Sequence, residues 1–187
     1  MAYFDDPRNV QNYITMAAGY DGRELVTALG KYFPDGAEVL ELGMGPGVDL
    51  DLLSQQYQVT GSDTSRVFLD RYRKNHPGAD LLLLDAETIE TSRRFAGLYS
   101  NKVLHHLSSE QLQASFLRQQ AVLLPEGIAL HSFWLGDGEE FMDGLRFRCY
   151  SEDYLHALVE HNFTILESTR YEEFEADDSL YLILNKA

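Results

Sequence analysis

Cysteine is all but missing from this chain. Cys149 is the only one in 187 residues, so no internal disulfide holds the fold and a reducing compartment is the default expectation. Positive charge is scarce as well. Fifteen Lys and Arg stand against 30 Asp and Glu, a formal charge of −15, which opposes attraction to phosphate backbones and anionic lipid and makes nucleic acid a poor partner. No apolar run approaches the length of a membrane span. Residues 1–6 are polar and acidic where a secretory leader is basic and then apolar. Internal repeats, low-complexity tracts and linkers are also lacking. The expectation left is a soluble, cytoplasmic protein of one domain, 1–187, long enough to bury a core without disulfide or metal.

What the chain does have is alternation. Residues 1–34 read as an N-terminal helical cap whose second helix carries Leu25, Val26 and Leu29 at core-facing spacing. Beyond it, short apolar strands at 39–42, 58–63, 81–84, 98–101 and 128–134 alternate with helical patterns at 48–57, 66–76, 108–121 and 151–160, with a weaker one at 87–94. This order predicts an α/β fold with a mostly parallel sheet and helices on both faces. The unbroken leucines at 81–84 read as a strand buried on both faces. Segment 136–140 reads as a Gly-rich acidic loop, and 163–170 with 180–184 as a terminal antiparallel hairpin.

The chain is organised around residues 39–47, an apolar strand running into a turn with glycines at 43, 45 and 47. In an open parallel sheet, ligands bind beyond the carboxyl ends of the strands. Here those ends carry the glycine turn, then Asp63, Asp85 and Ser100-Asn101. Asp63 lies where an acid accepts hydrogen bonds from a ribose diol. Read as a dinucleotide fingerprint the turn fails, because its third glycine falls one position early and Val48 stands in its place. Asp49 and Asp51 occupy the next first turn, and no Lys or Arg occurs between Lys31 and Arg66. The surround therefore suits a cationic or zwitterionic ligand rather than a phosphate.

Glu41-x-Gly43-x-Gly45-x-Gly47, Asp63, Asp85-Ala86, the segment from Ser100 to Leu107 and the Leu124-Pro125-Glu126-Gly127-Ile128 turn together resemble a class I S-adenosylmethionine-dependent methyltransferase. Two departures are Glu126 in place of a glycine and Ala96-Gly97 where an acid usually precedes the fourth strand. The resemblance implies a Rossmann-like, doubly wound, seven-stranded sheet with a reversed last strand, and S-adenosyl-L-methionine as cofactor. It implies that Glu41 steadies the turn and the cofactor's ammonium, that Gly43, Gly45 and Gly47 line the methionine part, and that Asp63 binds the ribose. Asp85 would accept from the adenine amino group, Ala86 would offer its N–H to the ring, Ser100 would lie near the methionine end through its backbone, and Tyr20 would close over the cofactor.

His105 and His106 follow the fourth strand at this edge and are the candidates for a general base, their competing reading being loop structure. Neighbouring histidines rarely converge on one ion, so no metal is expected. The acceptor pocket is expected between the cap, the loop after the fourth strand and residues 134–149. The short insertions favour a small-molecule acceptor. A protein or RNA methyltransferase, a nicotinamide-dependent oxidoreductase and a noncatalytic cofactor-binding module are the alternatives.

Overall fold

The computed structural model describes residues 3–142 and 144–186. Its main sheet contains β1 (Glu38–Leu42), β2 (Gln58–Asp63), β3 (Asp80–Leu83), β4 (Phe95–Asn101), β5 (Leu123–Trp134), β8 (Phe163–Tyr171) and β9 (Ser179–Lys186). Their order is β3-β2-β1-β4-β5-β9-β8. β1 to β5 pair in parallel, whereas β9 runs antiparallel between β5 and β8. Sequence order reverses between β1 and β4, which opens the ligand-accepting crevice at their carboxyl ends.

Strand alternation decides which residues meet which helix. Leu40, Leu42, Leu98, Ala129 and Phe133 pack with Leu112 and Phe116 of α5 (Ser109–Val122) and Leu155 and Val159 of α6 (Glu152–Val159). The intervening Val39, Tyr99, Ile128 and Leu130 pack with Leu25, Val26 and Leu29 of α2 (Arg23–Leu29) and Leu53 of α3 (Val48–Leu53). Each fully buried leucine here is worth about 2–5 kcal/mol against alanine. Side-chain caps start the longer helices. Ser65 accepts from Phe68 N–H at the start of α4 (Arg66–Asn75), and Ser108 forms a reciprocal capping box with Gln111 at the start of α5. α1 (Pro7–Met16) begins with Asp6 as its cap. Among the described residues, no helix is long and apolar enough to cross a membrane.

Four expectations change. Residues 87–94 form no helix: Asp85 takes the Glu87 N–H, while Arg118 of α5 donates to the carbonyls of Thr88, Ile89 and Thr91. β3 is the edge strand, with Leu83 exposed, because nothing pairs beyond it. α2 and α3 stop at Leu29 and Leu53, earlier than their apolar patterns suggest. The acidic segment after β5 enters a separate antiparallel hairpin, β6 (Gly138–Met142) with β7 (Leu145–Cys149). Glu139 on β6 pairs with Arg146 and Arg148 on β7, so one of the acids that read as a loop is neutralised across the ladder.

Candidate functional site

The glycine turn is left-handed at all three glycines, with φ of 67°, 48° and 88° at Gly43, Gly45 and Gly47. A Cβ on Gly43 would stand 2.6 Å from the Val103 side chain, and one on Gly47 would stand 2.3 Å from the Tyr72 ring. Those two glycines are required by packing. Gly45 differs: a Cβ there would meet only Tyr13 Cε1, at 3.8 Å, so this is the position where a ligand gains close access to the backbone. Tyr13 of α1 is braced there by the Phe4 and Phe68 rings at 5.4 and 5.9 Å.

Three acids surround the turn. Asp63 closes β2, and its carboxylate accepts from Gly45 N–H at 2.9 Å and Ser65 N–H at 2.8 Å. Burial raises its pKa, against the pull of these N–H donors. Four lone-pair positions on a carboxylate leave capacity for ribose hydroxyls beside these two bonds. Asp49 is pinned by Gly22 N–H at 2.7 Å, Tyr99 O–H at 2.7 Å and Asn101 Nδ2 at 3.0 Å. This clasp, which joins residues 27 to 52 positions apart and so leaves no local trace in the sequence, ties the start of α2 to β4 through the first turn of α3. Glu41, by contrast, is 3% exposed and its Oε2 has no hydrogen-bond partner among the described residues. Burial first, then the charges of Asp49, Asp63 and Asp51, push its carboxyl well above the ordinary range. An unpaired buried acceptor costs about 1–3 kcal/mol, and a cation beside it would offset that cost.

Asp85 and Ala86 lie beyond β3. Asp85 is exposed and accepts Glu87 N–H at 2.7 Å, while the Ala86 carbonyl accepts the Ser115 hydroxyl at 2.6 Å. Ser100 is fully buried, and its hydroxyl is spent on His131 Nδ1 at 2.7 Å, which leaves its backbone as the part available at the edge.

On the far side of the crevice the groups are basic. His106 Nδ1 is 2.6 Å from the Arg146 carbonyl, and the two Nε2 atoms of His105 and His106 are 3.1 Å apart. A carbonyl only accepts, so His106 is protonated at Nδ1, its Nε2 is bare, and His105 must donate from Nε2. His105 Nδ1 is then a bare lone pair, buried without a partner among the described residues. Burial pushes both imidazoles below their ordinary pKa, His105 the further because His106 and Lys102 add to it. Both rings lie against Phe147 of β7, at 5.5 and 5.0 Å.

Lys102, which no motif singled out, sits at φ 53° just past β4. Its Nζ donates to Ser179 Oγ at 2.6 Å and the Phe133 carbonyl at 3.2 Å, and lies 3.4 Å from the Trp134 ring centroid. Burial lowers its pKa to about 8, opposed by Glu173 and Asp178. Trp134 stacks on Phe174 at 5.5 Å, and the exposed Tyr20 meets Phe174 edge-on at 5.2 Å. Tyr20 is thus joined to the Trp134 cluster. Phe174 lies in a connecting loop and had no signal in sequence. An open cavity of about 400 Å³ adjoins, lined by Trp134, Leu135, Cys149, Phe174, Glu175 and Asp178.

A doubly wound sheet with a reversed last strand, a glycine turn after the first strand and acids at the ends of the next two defines a Rossmann-like methyltransferase architecture. Residues 39–127 match the methyltransferase domain family. Solved structures with the same fold include an S-adenosylmethionine-dependent methyltransferase from Clostridium acetobutylicum, 13% identical over 96% of this chain and 98% of that one, with a TM-score of 0.79. The N-methyltransferase NodS from Bradyrhizobium japonicum is 14% identical over 99% of both chains, with a TM-score of 0.75. The 1,6-didemethyltoxoflavin-N1-methyltransferase of Burkholderia thailandensis is 21% identical over 100% of this chain and 92% of that one, with a TM-score of 0.73.

Proposed function

We propose that this protein transfers the sulfonium methyl of S-adenosyl-L-methionine to a nucleophile on a small molecule. The observation that carries the reading is the buried, unpartnered Glu41 Oε2 beside a turn whose middle glycine is open. That combination fits a ligand bearing an ammonium and a sulfonium, and it disfavours a pyrophosphate. Glu41 would receive the ammonium, the turn at Gly45 the methionine chain, Asp63 the ribose diol, and Asp85 with the Ala86 N–H the adenine.

When bound, the cofactor supplies an already activated methyl group. The protein's task is to align the acceptor and exclude water. His105 presents a bare Nδ1, held in that tautomer by His106 and the Arg146 carbonyl, and so can accept an N–H or O–H of the acceptor and take its proton. Lys102, Trp134 and Phe174 wall the acceptor side. The NodS structure is described as a complex with S-adenosylhomocysteine, and the Burkholderia enzyme as holding 1,6-didemethyltoxoflavin and S-adenosylhomocysteine. These descriptions support a small acceptor, with nitrogen as the atom to test first.

Calorimetry against S-adenosylmethionine, S-adenosylhomocysteine and NAD tests the cofactor. Binding of both S-adenosyl compounds and not NAD is expected, and binding of NAD alone would overturn the reading. A panel of radiolabelled methyl transfers to small amines, phenols, carboxylates, RNA and protein then assigns the acceptor class.

A further inference from the structure

Beneath the sheet, on the α5 face, four buried polar side chains form a continuous hydrogen-bonded chain that ends on Ala86. Its links are Ser100 Oγ to His131 Nδ1 at 2.7 Å, His131 Nε2 to Gln119 Oε1 at 2.8 Å, Gln119 Nε2 to Ser115 Oγ at 3.2 Å, and Ser115 Oγ to the Ala86 carbonyl at 2.6 Å. All four side chains belong to residues with no solvent exposure. The direction of every bond follows from the last acceptor. The Ala86 carbonyl can only accept, so Ser115 donates to it and its oxygen receives the Gln119 amide N–H. The Gln119 carbonyl oxygen then receives the His131 Nε2–H, which leaves His131 Nδ1 bare to receive the Ser100 hydroxyl. Burial lowers the His131 pKa to about 3, so the ring stays neutral and the direction does not reverse in the physiological range.

The far end of this chain meets a peptide plane held at both polar atoms. The plane between Ala86 and Glu87 gives its carbonyl to Ser115 and its N–H to Asp85 Oδ1 at 2.7 Å. Rotating the plane would therefore turn the Asp85 carboxylate. The same stripe of α5 holds the loop further along, where Gln111 donates to Glu87 Oε2 at 2.6 Å and Arg118 caps the carbonyls of Thr88, Ile89 and Thr91. Residues 111, 115, 118 and 119 share one helical face by their spacing of three and four. A buried polar chain is a costly way to fill a core, since apolar groups of the same shape would serve packing equally well. Its use here is orientation.

We propose that the Ser100–His131–Gln119–Ser115 chain sets the orientation of the Ala86–Glu87 peptide and of Asp85, making Ser115 and Gln119 positioning residues for recognition of a 6-aminopurine. The inference rests on the proposed placement of adenine at Asp85 and Ala86. All four side chains are fully buried, so they would act on the base through the 85–87 loop and not by touching it.

The test compares binding of S-adenosylhomocysteine with that of S-inosylhomocysteine, which carries a 6-oxo group in place of the amine, by calorimetry on the full chain. Melting temperature is measured in parallel. Wild type is expected to prefer the adenine compound, and Asp85→Ala to abolish the preference. Ser115→Ala is expected to narrow it by about fivefold, the worth of one well-oriented hydrogen bond, and Ser115→Thr, which keeps the hydroxyl, to restore most of it. Should Ser115→Ala fail to fold, Gln119→Met carries the same comparison. Nitrogen-15 spectra of the His131 ring should show the Nε2–H tautomer.

If Asp85→Ala abolishes the preference while Ser115→Ala lowers only the melting temperature, the chain is structural and the inference fails alone. If Asp85→Ala leaves the preference intact, adenine lies elsewhere and the placement falls with it. A His131 ring protonated at Nδ1 would also overturn the proposed direction.

Discussion

The two sides of the crevice are built with opposite chemistry. On the β1–β3 side the charged groups are acids, and backbone N–H groups hold two of them: Gly45 and Ser65 for Asp63, Glu87 for Asp85. Past β4 and β5 two bases are held by carbonyl oxygens, His106 by Arg146 and Lys102 by Phe133, with Glu173 and Asp178 beside Lys102. Asp63 and Asp85 each accept from the N–H two positions on, whereas His106 reaches across 40 residues and Lys102 across 77 to Ser179. An acidic wall suits a cationic cofactor, and a wall of neutral imidazoles suits an acceptor that must arrive uncharged to be nucleophilic. Asp49 is the acid that joins the two, through Tyr99 and Asn101.

Breaking that joint should have the largest effect. Asp49→Ala leaves the Gly22 N–H and the Tyr99 hydroxyl unpaired in a buried place, and a loss of about 3 kcal/mol or more is expected in urea denaturation. A loss below about 1 kcal/mol would mean that the two sides are joined elsewhere. On the basic side, His105→Ala should slow methyl transfer by about 10²-fold, the usual worth of a positioned proton acceptor. His106→Ala should cost less, because it removes the orienting partner rather than the accepting lone pair. Full rates in both variants would reduce the histidines to loop structure.

On the acidic side, Glu41→Gln should separate stability from binding. The charge is already disfavoured by burial and by three neighbouring acids, so the free protein should be as stable or more so, while affinity for S-adenosylmethionine should fall about tenfold. Equal affinity in isothermal titration would place the ammonium away from Glu41.

The pH dependence of the ligand-free protein should divide along the same line. Glu41 and Asp63 have folded pKa values raised above 4.5 and 3.8. The folded state therefore holds the extra protons, and their contribution declines as pH rises above those values. His105, His106 and His131 have folded pKa values lowered from 6.5. The unfolded chain takes up their protons first, so stability declines as pH falls below 6.5, by up to about 1.4 kcal/mol per unit for each ring. Urea midpoints across pH should show both slopes, and the stabilisation by S-adenosylmethionine should grow with pH as Glu41 ionises. Smallest of all, Lys102→Met should leave cofactor affinity unchanged within about twofold and alter acceptor binding alone, because Lys102 contacts Trp134, Phe133 and Ser179 rather than any acid of the turn.

The parallel sheet, the glycine turn and the acids Asp63 and Asp85 at strand ends were legible in the residues, because strand alternation, glycine punctuation and turns from Asp to the residue two on are local physics. The helix expected at 87–94 failed for a non-local reason: Arg118, on a distant helix, supplies the partners that helical bonds would otherwise provide. The hairpin of β6 and β7 was hidden by its acids, which read as solvated until Arg146 and Arg148 are seen opposite them.

Patterns within a few residues were enough for the parallel sheet and for the acids gathered beside the glycine turn. Long-range packing settles which acids are clasped and which is left unpaired, which histidine nitrogen carries the lone pair, and that Lys102 lies against Trp134. Those outcomes depend on partners far apart in the chain, from 27 residues between Gly22 and Asp49 to 77 between Lys102 and Ser179, where burial sets both the hydrogen-bond direction and the charge state.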